Sequence, residues 1–391
     1  MYVEENEPVI SEVKQLNEKK SIHTNKKMTL DKLYDELLKM VPLEKCGKTD
    51  FLEYLQKKLH DYRNLLDNVD EAQQLVGWKQ IVKNVDDLLE IIVPSIKHIF
   101  EGQHGIAFKL FSKRVIDCGF LSLHIKEKQS FYRMRTFEDK RKANYKELFH
   151  IPFSKRGKVS TQRFSVPGFP CLYLSESIYG CWEEMGRPSF DSCMVSRIEN
   201  TRGFYVVDLR MPQKKYWMQK NLFQRQNYIF NMLSKFPLVL SCMVRVNDER
   251  ASFKPEYIIP QLLLETYNWI GHKTPKDGNY IFGILYTSVQ KNKDFEFPDR
   301  VFDNYAIPVI SQEGEYCKTL CELFHITDPT CDEYERLKES YGPFWQYNPD
   351  DGISREEYNY EISAFGCMEE RLKDANRFPL KIINYLNKNE D

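Results

Sequence analysis

Between Ser160 and Met185 the chain reads STQRFSVPGFPCLYLSESIYGCWEEM, which gathers an arginine, a proline–glycine turn, a tyrosine and a carboxylate into one stretch. Cys171–Leu174 is short, apolar and bounded by turn formers, the pattern of a buried strand. Ser175 or Ser177 can cap the helix that follows, and Glu184 falls about two turns into it. Strand, turn and helix in that order carry Tyr173 and Glu184 toward one end of a sheet, where ligands commonly bind. Arg163, just before the turn, can hold a phosphate through paired N–H donors, although a surface pairing with a carboxylate is the commoner fate of an arginine. Together these residue types suit a substrate with one anionic part and another that becomes cationic during reaction.

Other positions could share that chemistry. Arg133 lies within the apolar–aromatic run SFYRMR, where its charge is costly unless matched, and Arg135 is its same-face neighbour on a strand. Tyr173 offers an aromatic face to a cationic ring, or it is a core tyrosine whose hydroxyl is satisfied at the sheet end. Glu183 and Glu184 are helix neighbours about 100° apart, so only one can face a site; Glu183 is expected on a solvated face. A carboxylate such as Glu184 can stabilise an oxocarbenium-like sugar or orient its 2′-hydroxyl. Ser288 closes a strand ending in YTS, with no histidine base beside it, which argues against a serine-hydrolase mechanism. His150 reads as a turn-stabilising residue. Cys317, Cys321 and His325 recur at four-residue steps, with Cys331 beyond, but a packed helix explains them more simply than zinc. No Walker loop, no GxGxxG after a strand and no HExxH is present.

The order of these motifs resembles the RES-domain family. FYRMR (Phe131–Arg135) comes first, then the RF–PG–P–LYL–ES–E block of Arg163–Glu184, then GILYTSVQ (Gly283–Gln290). The resemblance spans roughly residues 130–308. It implies an ADP-ribosyltransferase-like fold and NAD+ as substrate rather than as a tightly bound cofactor. It further implies cleavage of the nicotinamide–ribose bond with phosphate or water as acceptor, in a toxin or antiviral defence effector. On that reading Glu184, Arg133 and Ser288 are catalytic, Arg163, Tyr173 and Arg133 bind NAD+, and no metal takes part. Some relatives carry a tyrosine directly after the first arginine; here Met134 follows and Tyr132 precedes. Transfer of ADP-ribose to a macromolecule is the alternative within the enzyme class. An inactive RES-fold sensor or binding module is the alternative outside it.

Around this block the periodicity divides the chain. Residues 1–28 form a polar tail, 29–120 a helical N-terminal region, 121–309 the RES-like NAD+-binding catalytic domain, and 310–391 a helical extension. Thr29 can cap a stripe through Leu30, Leu33, Leu37 and Leu38, and Asp50 with Glu53 has capping-box spacing ahead of Leu52–Leu66. A third stripe from Ile81 is expected to end or kink at Pro94. Strands are expected over Met194–Glu199, Phe204–Arg210, Leu238–Val246 and Tyr280–Tyr286, and helices over Gln219–Leu233, Pro260–Ile270, Tyr316–His325, Cys331–Ser340 and Glu356–Leu372. Strands and helices intermixed without βαβ regularity predict an α+β fold with a mixed sheet. The N-terminal helices carry no candidate chemistry, so they are expected either to brace the core or to restrain the cleft.

Bulk composition narrows the setting. A net charge of −1 gives no electrostatic reason to expect nucleic acid. No apolar run reaches the roughly 20 residues that span a bilayer. Ten scattered cysteines suit a reducing cytosol better than a disulfide framework, so a cytoplasmic location is expected. An antitoxin or regulatory partner and self-association are compatible with all of this.

Overall fold

The computed structural model describes residues 27–70, 74–120, 122–139, 143–189, 192–273, 281–290, 299–310, 314–331, 360–373 and 377–379. The expected polar tail lies outside them up to residue 26, as do residues 332–359 of the expected C-terminal helices. Among the described residues four helices come first: α1 (Leu30–Met40), α2 (Phe51–Asp67), α3 (Trp78–Phe100) and α4 (His104–Asp117). Thr29 accepts from the Lys32 amide at 3.3 Å, and Asp50 accepts from Leu52 and Glu53 at 3.0 and 3.2 Å, so both caps form as expected. Pro94 does not end α3, which runs on to Phe100. Ile91, Ile92 and Ile96 are buried on either side of it, and that packing outweighs the missing amide bond.

The chain then builds one mixed sheet with helices between its strands: β1 (Ser122–Ile125), β2 (Ser130–Thr136), β3 (Cys171–Ser175), α5 (Ile178–Glu184), β4 (Cys193–Asn200), β5 (Phe204–Leu209), α6 (Lys214–Trp217), α7 (Leu222–Cys242) and α8 (Ile258–Lys273). After these come β6 (Ile281–Thr287), β7 (Asp303–Pro308), α9 (Lys318–Leu323), β8 (Phe324–Thr327), α10 (Ala364–Lys373) and β9 (Arg377–Pro379). The nine-stranded order is β1-β5-β6-β7-β3-β2-β4-β8-β9, with β5 and β6 parallel and the other pairs antiparallel. This is the α+β fold with a mixed sheet that the periodicity predicts. Two expectations fail. The run Leu238–Cys242 is not a strand but the buried end of α7, which passes through Pro237; a short apolar run cannot distinguish the two by periodicity. His325 is not on a helix with Cys317 and Cys321, because α9 stops at Leu323 and His325 lies in β8.

The N-terminal helices share one core with α7, α8 and a face of the sheet, joining Leu37, Leu59 and Ile92 to Phe236, Leu263 and Ile284. Tyr62 donates to the Leu233 carbonyl at 2.6 Å and packs on Phe236 with ring centroids 4.7 Å apart. Further along the sheet, α10 packs Phe365, Met368 and Leu372 against Tyr132, Tyr179 and Trp182. There Glu369 accepts from the Ile178 amide at 2.8 Å and from the Tyr360 hydroxyl at 2.6 Å, so the C-terminal segment caps the helix that ends at Glu184.

Burial holds Glu369 protonated up to about 7. A carboxyl whose folded value is raised contributes stability below its ordinary value of 4.5, and that contribution is lost as pH rises through about 7. Glu369→Gln keeps the acceptor oxygen and removes the titration. Its melting temperature is therefore expected to gain on wild type from about pH 4.5 to 7 and to hold level above, as calorimetric scans across pH would record. Parallel curves would contradict this account of the cap.

Candidate active site

The sheet nearly parts between β2 and β3, which pair only at Tyr132 and Ser175. A cleft of about 690 Å³ occupies the gap. Lys45, Arg133, Arg135, Lys158, Arg163 and Arg245 bring six cations to its walls, against the carboxylates of Glu184 and Glu249.

Arg133 projects from β2 across the parting and donates to the Tyr173 carbonyl at 2.6 Å, satisfying a backbone group that a continuous sheet would have paired. Its Nε is buried without a partner, and no carboxylate pairs with it among the described residues. Burial, with Arg135 nearby, pulls its pKa down to about 9, which leaves it cationic at neutral pH. Arg135 lines the same cleft and is also lowered by burial, with Glu147 partly offsetting. The two same-face arginines expected from the sequence therefore both reach one cavity, where a bound anion would offset the cost of burying them.

Arg163 stands on another wall. It donates to the Cys242 and Val244 carbonyls at 2.7 and 3.1 Å, and its guanidinium lies over the Tyr257 ring, 5.3 Å from the centroid. The ring of Tyr173 is half-buried between these arginines. Its hydroxyl accepts from the Phe164 amide at 3.3 Å and meets Ser165 Oγ at 3.1 Å, which ties the end of the ring to the loop before β3.

Glu184 is the last residue of α5. Ser177 caps this helix by accepting from Gly180 at 2.8 Å. A side chain at Gly180 would collide with Ser175 Oγ and the Val301 carbonyl, so glycine lets the helix lie directly on the end of β3. The Glu184 carboxylate accepts from Asn304 at 2.9 Å and lies beside the Ser288 hydroxyl, which favours its charged form. It lies deep within the body of the protein yet stays open to water through the cleft. Desolvation raises its pKa, while the Ser288 hydrogen bond and the charge of Arg163 pull it back. Ser288 itself is fully buried, its Oγ accepting from the Gln290 amide at 3.0 Å.

The structure thus brings Arg133, Arg163, Tyr173 and Glu184 around one cleft and places Ser288 against Glu184. Glu183 departs from the expectation of a solvated face. It is 5% exposed, and both its oxygens accept from Arg187, at 3.0 and 2.8 Å. His150 holds the loop, accepting from the Cys317 amide at 2.9 Å and pairing Nδ1 with the Ile151 carbonyl at 2.8 Å; burial lowers it to about 4. Cys317 and Cys321 are buried with Leu320 and Phe324 in the sheet's second core, and no three metal-ligating side chains converge among the described residues. Asn304 was missed. Its signal was a polar pair, Asp303–Asn304, opening an otherwise apolar strand in which every residue is buried. Lys45 was missed as well, because nothing in its helical surroundings marks it.

No family model and no solved structure matches the chain. It is 30% identical over 319 residues to "Putative toxin YopC" of Bacillus subtilis (strain 168), an alignment covering 77% of this chain and 70% of that protein. Identity of that extent reaches well beyond the central motifs, and this chain belongs to the family of YopC.

Proposed function

We propose that this protein is an NAD+-consuming toxin that breaks the nicotinamide–ribose bond and passes ADP-ribose to phosphate or water. The reading is supported by the resemblance of its motifs to the RES-domain family and by the name of its Bacillus relative. One observation carries it furthest. Glu184 remains open to water while Asn304 and Ser288 hold it, in a cleft whose other charges are mostly positive.

The chemistry follows from that arrangement. Arg133 and Arg163 take the pyrophosphate, and the face of Tyr173 meets the pyridinium ring. As the C–N bond breaks, its electron pair leaves with nicotinamide, which departs neutral, and the ribose becomes an oxocarbenium-like cation. The fixed Glu184 carboxylate faces that charge or orients the 2′-hydroxyl. An oxygen of phosphate or water then forms the new bond to the sugar and releases a proton to solvent.

The test is direct. Purified full-length protein is incubated with NAD+, with and without phosphate, and nicotinamide and the ribosyl product are separated by chromatography. Nicotinamide is expected to accumulate as NAD+ disappears, with phosphorylated ADP-ribose formed only when phosphate is present if phosphate is the acceptor. Intact NAD+ under both conditions, and again with cell extract added as a source of macromolecular acceptors, would overturn the reading. Label carried from NAD+ onto extract protein would instead make the enzyme a transferase.

A further inference from the structure

Among the described residues, the N-terminal region meets the cleft in the connection between α1 and α2. Between α1 and α2 the chain crosses behind the Arg163 wall, where Leu43 and Val244 form a parallel bridge. The Leu43 amide donates to Met243 at 2.7 Å, and the Arg245 amide donates back to Leu43 at 2.9 Å. Further along, Gly47 and Asn247 bond in both directions, at 3.2 and 3.1 Å. Glu44 lies 3.4 Å from Arg245 Nε. The stretch held in this way supplies the Cys242 and Val244 carbonyls that fix Arg163. Lys45, within the same crossing, is exposed, has no hydrogen-bond or ion-pair partner among the described residues, and lines the cleft.

We propose that the N-terminal helical region is a working part of the ligand site. The crossing Val41–Gly47 sets the backbone that holds Arg163, and Lys45 contacts the anionic part of the ligand at the cleft mouth. Its ligand is a phosphate-bearing group, such as the pyrophosphate of a dinucleotide or free pyrophosphate. The inference rests on the cleft binding anions, not on its breaking a glycosidic bond. It bears on the choice between brace and restraint: a region that completes the site supports activity instead of holding it in check.

Two full-length variants test it, read by calorimetric titration with inorganic pyrophosphate and with NAD+, and by steady-state kinetics. Lys45→Gln removes the charge at an exposed position and leaves the fold intact. It is expected to weaken pyrophosphate and NAD+ binding about tenfold and to flatten the salt dependence, with Lys45→Arg restoring both. Asn247→Ala loosens the crossing and is expected to raise KM while kcat stays near wild type, a split that general destabilisation does not produce. Wild-type affinity for pyrophosphate in Lys45→Gln would refute the contact, and an unchanged KM in Asn247→Ala would refute the positioning role. Wild-type protein that binds pyrophosphate but leaves NAD+ intact would remove the enzymatic reading and spare this one, provided Lys45→Gln still weakens binding. If wild-type protein binds neither probe, this inference falls too.

Discussion

Glu184→Gln should lower the rate of NAD+ breakdown by about 10²–10³ while the protein stays folded. Glutamine keeps an oxygen that can accept from Asn304, so the side chain stays in place and only the charge is lost. On the proposed mechanism, a neutral amide cannot match the positive charge that grows on the ribose as nicotinamide leaves. Asn304→Ala leaves the charge but frees the carboxylate, so a smaller loss of about tenfold is expected. Rapid-mixing kinetics of nicotinamide release would measure both. If Glu184→Gln turned over NAD+ at the wild-type rate, the cleft would not be the site of bond breaking.

The acid limb of the rate should carry the same signature. On the proposed mechanism Glu184 must be ionised to act, and desolvation raises its pKa above the ordinary 4.5. Activity is therefore expected to fall with acid at a higher pH than a glutamate of ordinary pKa would give, and Glu184→Gln should abolish that limb. Glu183→Gln should act on the fold instead of the rate. It takes the charge from a buried carboxylate that the exposed Arg187 pairs with, so it should lower the melting temperature, with any NAD+ breakdown by the folded protein little changed.

What was legible in the sequence follows from range of interaction. Caps at Thr29 and Asp50, the β3 strand and the helix after it depend on neighbours within a few residues, and each could be read directly. The helix register that separates Glu184 from Glu183 is likewise local. The environment of Glu183 was not, because it depends on Arg187 beyond the helix end and on packing around Tyr179. Leu238–Cys242 misled because the same apolar run serves a strand or the inside of a helix, and only packing against the N-terminal helices decides. Asn304 and Lys45 reach the cleft through strand order and a chain crossing, which no local pattern encodes. The parting of β2 from β3 belongs with these. It creates the cleft, yet it lies in the pairing of two strands some 40 residues apart, as the Arg133–Tyr173 bond records.

That bond sets the second large effect. Arg133→Ala is expected to reduce kcat/KM for NAD+ by about 100-fold, through both binding and turnover, whereas Arg163→Ala should mainly weaken binding, by about tenfold. Arg133 spans the parting, so its loss removes a cation beside the ligand and also the donor that holds the Tyr173 carbonyl. The ring of Tyr173 then loses its fixed position. Arg163 is held by two carbonyls on a separate wall, and its removal leaves Tyr173 and Glu184 where they are. Arg133→Lys should not rescue, because an ammonium cannot bond the carbonyl and a phosphate in the planar fork that a guanidinium offers. Titration of each variant with NAD+ by calorimetry, beside single-turnover kinetics, separates binding from chemistry. Unchanged affinity in both alanine variants would exclude a pyrophosphate clamp. Full rescue by lysine would leave Arg133 as a point charge and detach the position of Tyr173 from catalysis.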